Sequence, residues 1–169
     1  MATVADVPKA ARPTDVTMFD KLLAAGALVL FLAAIVALIR GSEWWSRIPF
    51  NIWAHLLTIL IATGLTPVML LRRRGDRLHR TLGYVWVAMM ALTAATSLTI
   101  QTINPGSYSP IHILSIWTLI QVPLIVWRAR QHDVVRHRSA VRGMVVGALL
   151  IAGFFTFPFN RMLGEMLFG

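Results

Sequence analysis

Five apolar runs, each of roughly twenty residues and separated by short polar or arginine-rich stretches, constrain this chain more than any other feature of it. They cover residues 18–40, 52–71, 81–101, 111–127 and 141–162. A helix rises about 1.5 Å per residue and bilayer hydrocarbon is about 30 Å thick, so each run suffices to cross. In lipid such runs must be helical, because a lone strand would leave its backbone groups without partners. The expected fold is an all-α integral membrane protein of five transmembrane helices. Spans two to five form a four-helix bundle with a twofold repeat. A polar tail, residues 1–17 with Pro8 and Pro13, precedes a single domain over residues 18–169.

Composition agrees with that frame. Of the 169 residues 57% are apolar and 14% charged, more apolar surface than a soluble domain of this size can hide. The formal charge of +9 does not point to nucleic acid, because the basic residues sit in short clusters between apolar runs. There they oppose anionic lipid headgroups and set topology. Basic residues lie in the tail (Lys9, Arg12, Lys21), after span two (Arg72, Arg73, Arg74, Arg77, Arg80) and after span four (Arg128, Arg130, Arg136, Arg138, Arg142). The positive-inside rule then puts the N-terminus in the cytoplasm and the C-terminus outside. With no cysteine, disulfides and thiolate metal sites are excluded, and histidine is the remaining strong nitrogen ligand.

The histidines repeat. His55 opens one apolar run, which ends in arginines and is followed by Asp76, His79 and Arg80. His112 opens another, which also ends in arginines, followed by Asp133, His137 and Arg138. The interval between the two histidines differs by one residue between the halves. On the expected topology His55 and His112 share the outer depth, and His79 and His137 the inner. A bis-histidine haem needs two imidazoles from different helices at one depth, so the array predicts two b-type haems stacked across the membrane. In the competing interpretation the four rings are interfacial side chains. On the helical faces His55 lines up with Thr58, Ala62 and Thr66, and His79 with Gly83, Trp86, Met90, Thr93 and Ser97. These stripes are small, polar or aromatic and suit a bundle interior, either around a cofactor or simply helix on helix.

Neighbouring residues have double assignments too. Asp76 and Asp133 are expected to cap the helices that begin there; the alternative is that each accepts the second ring proton of its histidine. Arg80 and Arg138 suit haem propionates, and equally serve as positive-inside charges. His132 lies in a basic loop and is expected to be solvated. Trp44, Trp45 and Trp53 suit the outer interface. Residues 104–110 read as a rigid turn, with Pro110 starting the fourth helix. Pro67, Pro123 and Pro158 should kink their helices, with nearby threonines satisfying the freed carbonyls. Gly143 and Gly147 form a small-xxx-small pattern for close helix packing. Gln121 either contacts a quinone or bonds another helix. No acidic residue lies in the middle of a span, which argues against an ion-coupled pump. No nucleotide loop, zinc-protease motif or nucleophile elbow is present.

The segments Arg74-Gly75-Asp76-Arg77-Leu78-His79-Arg80-Thr81-Leu82-Gly83 and Gly106-Ser107-Tyr108-Ser109-Pro110-Ile111-His112, with His137-Arg138, resemble a family of small bacterial predicted membrane proteins, the domain of unknown function 2306. That resemblance runs from about His55 to Arg161 and implies a bacterial cytoplasmic membrane location. More distantly, the histidine order is similar to the core of the cytochrome b561 superfamily. It implies His55 pairing with His112 and His79 with His137, and electron transfer across a membrane. One span precedes that core here and none follows, and no donor-binding motif is recognised. The expected function is a di-haem b-type electron-transfer protein, with a quinone or another redox partner. The alternative is a non-catalytic accessory subunit of a larger membrane complex, its arginines on anionic headgroups.

Overall fold

The computed structural model describes residues 14–100 and 109–169. Regular structure among them is helical, without a strand: α1 (Met18–Arg40), α2 (Phe50–Leu71), α3 (Arg77–Ser97), α4 (Pro110–Arg130) and α5 (Val134–Met144). A π-helical stretch (Val145–Ile151) and the short α6 (Ala152–Phe154) continue α5, and α7 (Met162–Phe168) ends the chain. A 3₁₀ turn, Ser42–Arg47, joins α1 to α2. Residues 1–13 of the expected tail and most of the 104–110 turn lie outside the described residues.

Helices α1, α3 and α5 each start at a residue whose side chain satisfies orphan N–H groups. Thr17 and Asp20 form a reciprocal capping box on α1. Asp76 accepts from the His79 N–H at 2.6 Å, and Asp133 from the Arg136 N–H at 3.0 Å, so both aspartates cap as expected. Pro110 occupies the first turn of α4, where its missing N–H costs nothing.

Three helices, α1, α2 and α4, are long and apolar enough to cross a membrane. Their outward side chains are themselves apolar: Leu28, Val29, Leu32 and Val36 on α1, Ile113, Ile116 and Ile120 on α4 are all exposed. A continuous apolar exterior of that kind is at rest only in hydrocarbon. This is a membrane protein.

The principal contacts follow the chain around a ring: α1 on α2, α2 on α3, α3 on α4, α4 on α5. The ring closes where α1 meets the π-helical stretch, and α7 folds back along α1. Inside, Leu23, Ala24, Ala62, Trp86, Met90, Ile125, Met144 and Val145 belong to one buried cluster. A smaller one, with Ala37, Leu38, Leu56, Leu163 and Met166, lies at the end where α7 packs. Close approach rests on small residues, as membrane helices require. A side chain at Gly153 would collide with Leu30, and one at Gly41 with Met166.

Several expectations need adjusting. The fifth helical segment covers 134–154 instead of 141–162: the Asp133 cap starts it seven residues early, and a turn with Phe159 and Asn160 at φ 64° and 54° follows α6. Pro158 therefore sits in a turn and kinks no helix, whereas Pro67 and Pro123 lie within α2 and α4. The threonine hydroxyls bond the Ile59, Ala62 and Leu114 carbonyls, not those of Thr63 and Leu119, which the prolines leave free. Gly143 faces open space and Gly147 only grazes Trp117 and Leu114, so neither brings two backbones together.

One ionic cluster ties the ring shut at the arginine-rich end. Asp20, fully buried, accepts from Arg74 at 2.9 Å, Arg138 at 2.6 Å and Arg142 at 2.8 Å. The Thr17 N–H adds a bond at 2.9 Å. The three guanidiniums come from the α2–α3 connection and from α5, so a single carboxylate on α1 fixes three segments. Removing one partner of a buried ion pair costs about 3–5 kcal/mol, because the others stay buried and uncompensated. Asp20→Ala should accordingly lower the thermal midpoint in detergent sharply. Glu43→Ala, at an exposed position, should leave it within experimental scatter.

Candidate functional site

The larger of two cavities, about 490 Å³, opens at the arginine-rich end between α2, α3, α4 and α5. Its floor is apolar, with Met69, Leu70, Val87, Ile125, Val126 and Val145. Trp86 is held in its wall by an Nε1–H bond to the Thr66 hydroxyl at 2.9 Å. His79 from α3 and His137 from α5 both line it, two helices whose main packing is on other neighbours. The structure thus brings together the two histidines expected at one depth.

Their ring nitrogens are in different situations. His137 Nδ1 lies 3.1 Å from the Ile125 carbonyl, which can only accept, so this nitrogen carries the proton and Nε2 keeps its lone pair. His79 Nδ1 is buried and has no hydrogen-bond partner among the described residues. A turn beyond it, Gly83 meets only the Met69 methyl, 3.5 Å from where a Cβ would stand. The α3 surface beside His79 is therefore bare.

At the opposite end the other pair is less alike. His55 Nδ1 donates to the Thr93 carbonyl at 3.0 Å, and its ring lines a second cavity of about 170 Å³. That cavity is edged with hydroxyls, among them Thr93, Ser97, Ser115 and Thr118; His112 is not in its lining. His112 is buried and caps its own helix: the Ser109 N–H donates to its Nδ1 at 2.9 Å. A neutral ring that accepts at Nδ1 carries its proton on Nε2. The sequence signal for this role was the Ser-x-x-His spacing just before an apolar run, a variant of the capping box.

Five arginines line the larger cavity: Arg74, Arg80, Arg130, Arg138 and Arg142. Arg138 and two of the others are bound to Asp20, the only acidic side chain in the lining among the described residues. Arg80 is at the rim, and His132 is exposed there with φ 57°. In sequence Arg130 reads only as a positive-inside charge, and Asp20 is not singled out. Asp20 stands three residues after Thr17 at the head of an apolar run, which signals a cap, but nothing local signals its partners on α5. At the far end the tryptophans cluster, with Trp45 and Trp53 edge to face at 5.6 Å and Trp45 Nε1–H bonded to the Leu38 carbonyl.

Comparison with known families identifies the core. The family model described as "Predicted membrane protein (DUF2306)" matches residues 52–155, and the chain belongs to that family. The match runs from α2 to just past α6 and so holds all four repeated histidines, while α1 and α7 lie outside it. No curated protein and no solved structure matches the chain.

Asp76 caps the helix that carries His79. Two bonds from the Arg72 guanidinium, at 3.3 and 2.8 Å, and one from the His79 N–H hold its carboxyl below the usual carboxylate range. A depressed folded-state value means stability that is present above about pH 4 and lost as pH falls through that lowered value. Asp76→Asn, which keeps a capping oxygen, should remove this acid limb. In detergent melts between pH 6 and pH 3, the gap between wild type and variant should close toward the acid end.

Proposed function

We propose that this member of the predicted membrane protein family is a b-type cytochrome whose haem is held by His79 and His137 in the 490 Å³ cavity. The observation that carries this reading is the pair of imidazoles, from α3 and α5, lining one apolar cavity. The volume falls in the range of about 300–1,000 Å³ usual for small-molecule and cofactor sites. His137 has the arrangement expected of a metal-binding ring, one nitrogen fixed on a carbonyl and the other left for the metal. Gly83 leaves the helix surface next to His79 open. A haem bound by two imidazoles has no open iron position and supplies one-electron exchange. The apolar floor would keep water from it, and the α2–α5 ring would hold both rings at a fixed separation.

A second haem at His55 and His112 belongs to the same proposal, as the site filled later. It requires His112 to give up its bond to the Ser109 N–H and the 170 Å³ cavity to widen. We further propose five spans, α1 to α4 and the segment 134–154, in the bacterial cytoplasmic membrane, the arginine-rich end facing the cytoplasm. This is supported by the arginine clusters converging on Asp20 at one end and by Trp45 and Trp53 packing together at the other. Electrons would pass from a cytoplasmic-side donor to a quinone or another membrane redox partner.

The deciding measurement is the reduced-minus-oxidised spectrum of the full chain, purified in detergent after expression with ample haem. A sharp b-type α band is expected, strongly reduced or absent in His137→Ala and retained in His112→Ala. A colourless, monodisperse wild-type protein would overturn the assignment.

A further inference from the structure

The cavity's charge is unbalanced in a way the histidines do not account for. Against five lining arginines stands one carboxylate, and Asp20 spends itself on Arg74, Arg138 and Arg142. Two guanidiniums are left over. Arg80, on α3 directly after His79, has no side-chain hydrogen bond or ion pair among the described residues. Arg130, at the end of α4, donates only to the Tyr84 hydroxyl, at 3.4 Å. Tyr84 is one turn beyond Arg80 on the same helix, so α3 presents a guanidinium and a phenol toward a guanidinium from α4. All three residues line the same cavity and stand at its rim, Tyr84 being 51% exposed.

Surface arginines ordinarily need no partner but water and headgroups. These differ in what lies beneath them, the apolar floor of Met69, Val87, Ile125 and Val126. A cationic rim over an apolar floor selects a molecule with an apolar body and an acidic head. A guanidinium fork matches carboxylate and phosphate oxygens, and a phenol adds a neutral donor.

We propose that Arg80, Tyr84 and Arg130 form the acid-head subsite of this cavity, binding the carboxylate or phosphate of a molecule whose apolar body fills it. On the haem reading, on which this partly rests, the acid groups are the propionates. Arg130 then takes the place the sequence assigned to Arg138, which is bound to Asp20. A phosphate-headed lipid presents the same chemistry without the iron.

The test titrates hemin and hemin dimethyl ester, its carboxylates masked, into the full-length chain in detergent, followed by Soret absorbance. Wild type should prefer hemin by roughly tenfold, the scale of a charge-assisted bond. Arg80→Gln/Arg130→Gln should lose that preference, and Tyr84→Phe, which removes one oxygen, should lose part of it. Arg73→Gln/Arg77→Gln, which removes the same charge from exposed positions off the cavity, should keep it. If the rim double variant binds hemin yet keeps the full preference, the subsite is wrong while the haem reading stands. If the double variant does not fold, Tyr84→Phe decides on the same criterion. If neither compound binds wild type, the haem reading fails and the lipid arm decides the subsite. Nanodiscs of phosphatidylglycerol should then raise the melting temperature over phosphatidylcholine for wild type and the off-cavity control, but not for the rim variant. An equal rise in all three would overturn the proposal.

Discussion

A buried carboxylate is costly in any low-dielectric interior, and Asp20 is retained with no exposure at all because three guanidiniums and a backbone N–H surround it. That arrangement sets much of the rest. Arg138 and Arg142 stand one and five residues beyond His137 on α5, so the helix carrying His137 is held in rotation and depth by a residue on α1. Arg74 does the same for the short connection into α3, two residues before the Asp76 cap and five before His79. The two imidazoles of the larger cavity are positioned by an ionic cluster in the cavity's own wall. Its carboxylate belongs to α1, which lies beyond the part of the chain matched by the family model.

The ring arrangement explains why there is a cavity. In a tightly crossed four-helix bundle, diagonal helices meet and side chains fill the centre. Here α1 is inserted between α2 and the fifth helical segment, and a five-membered ring has more interior than the same side chains can fill at native density. The excess appears as two spaces, with the midplane cluster around Met90 and Leu149 dividing the interior. The π-helical stretch spans that divide, giving Val145 to the larger space and Leu149 to the smaller. Single π turns often occur at functional sites, and a seven-residue stretch is long for the type. Its wider turn offsets the side chains that follow it from the α-helical register.

Much of this was legible from residue order, for physical reasons that differ by element. The apolar runs announced α1, α2 and α4 because lipid leaves a chain no alternative to helix. The Asp76 and Asp133 caps were legible because a cap is a local interaction within three residues. The start of the fifth segment was misplaced for the same reason in reverse. Residues 134–140 include Arg136, His137 and Arg138, so hydropathy assigned them to a loop, but the Asp133 cap starts the helix there. The placement of Pro158 followed from that error. Asp20 was not legible, because its meaning depends on partners more than fifty residues away. His112 was legible as a special residue but not as a cap, since the ligand and the capping nitrogen read alike in sequence.

The two histidine pairs differ in what each ring nitrogen faces. His137 and His55 face carbonyls, which only accept, so each has its proton fixed on Nδ1 and its lone pair on Nε2. His112 Nδ1 accepts from the Ser109 N–H at 2.9 Å and also lies 3.2 Å from the Ser109 carbonyl, so its contacts serve either tautomer. A repeat that is nearly perfect in spacing is therefore uneven in chemistry: two rings donate to carbonyls, His112 caps its helix, and His79 Nδ1 has no hydrogen-bond partner among the described residues. The capping ring lies at the end with the smaller cavity, away from the arginines that suit an acid-bearing ligand. Volume and charge depend on different residues, and both favour the same end of the molecule as the proposed binding site.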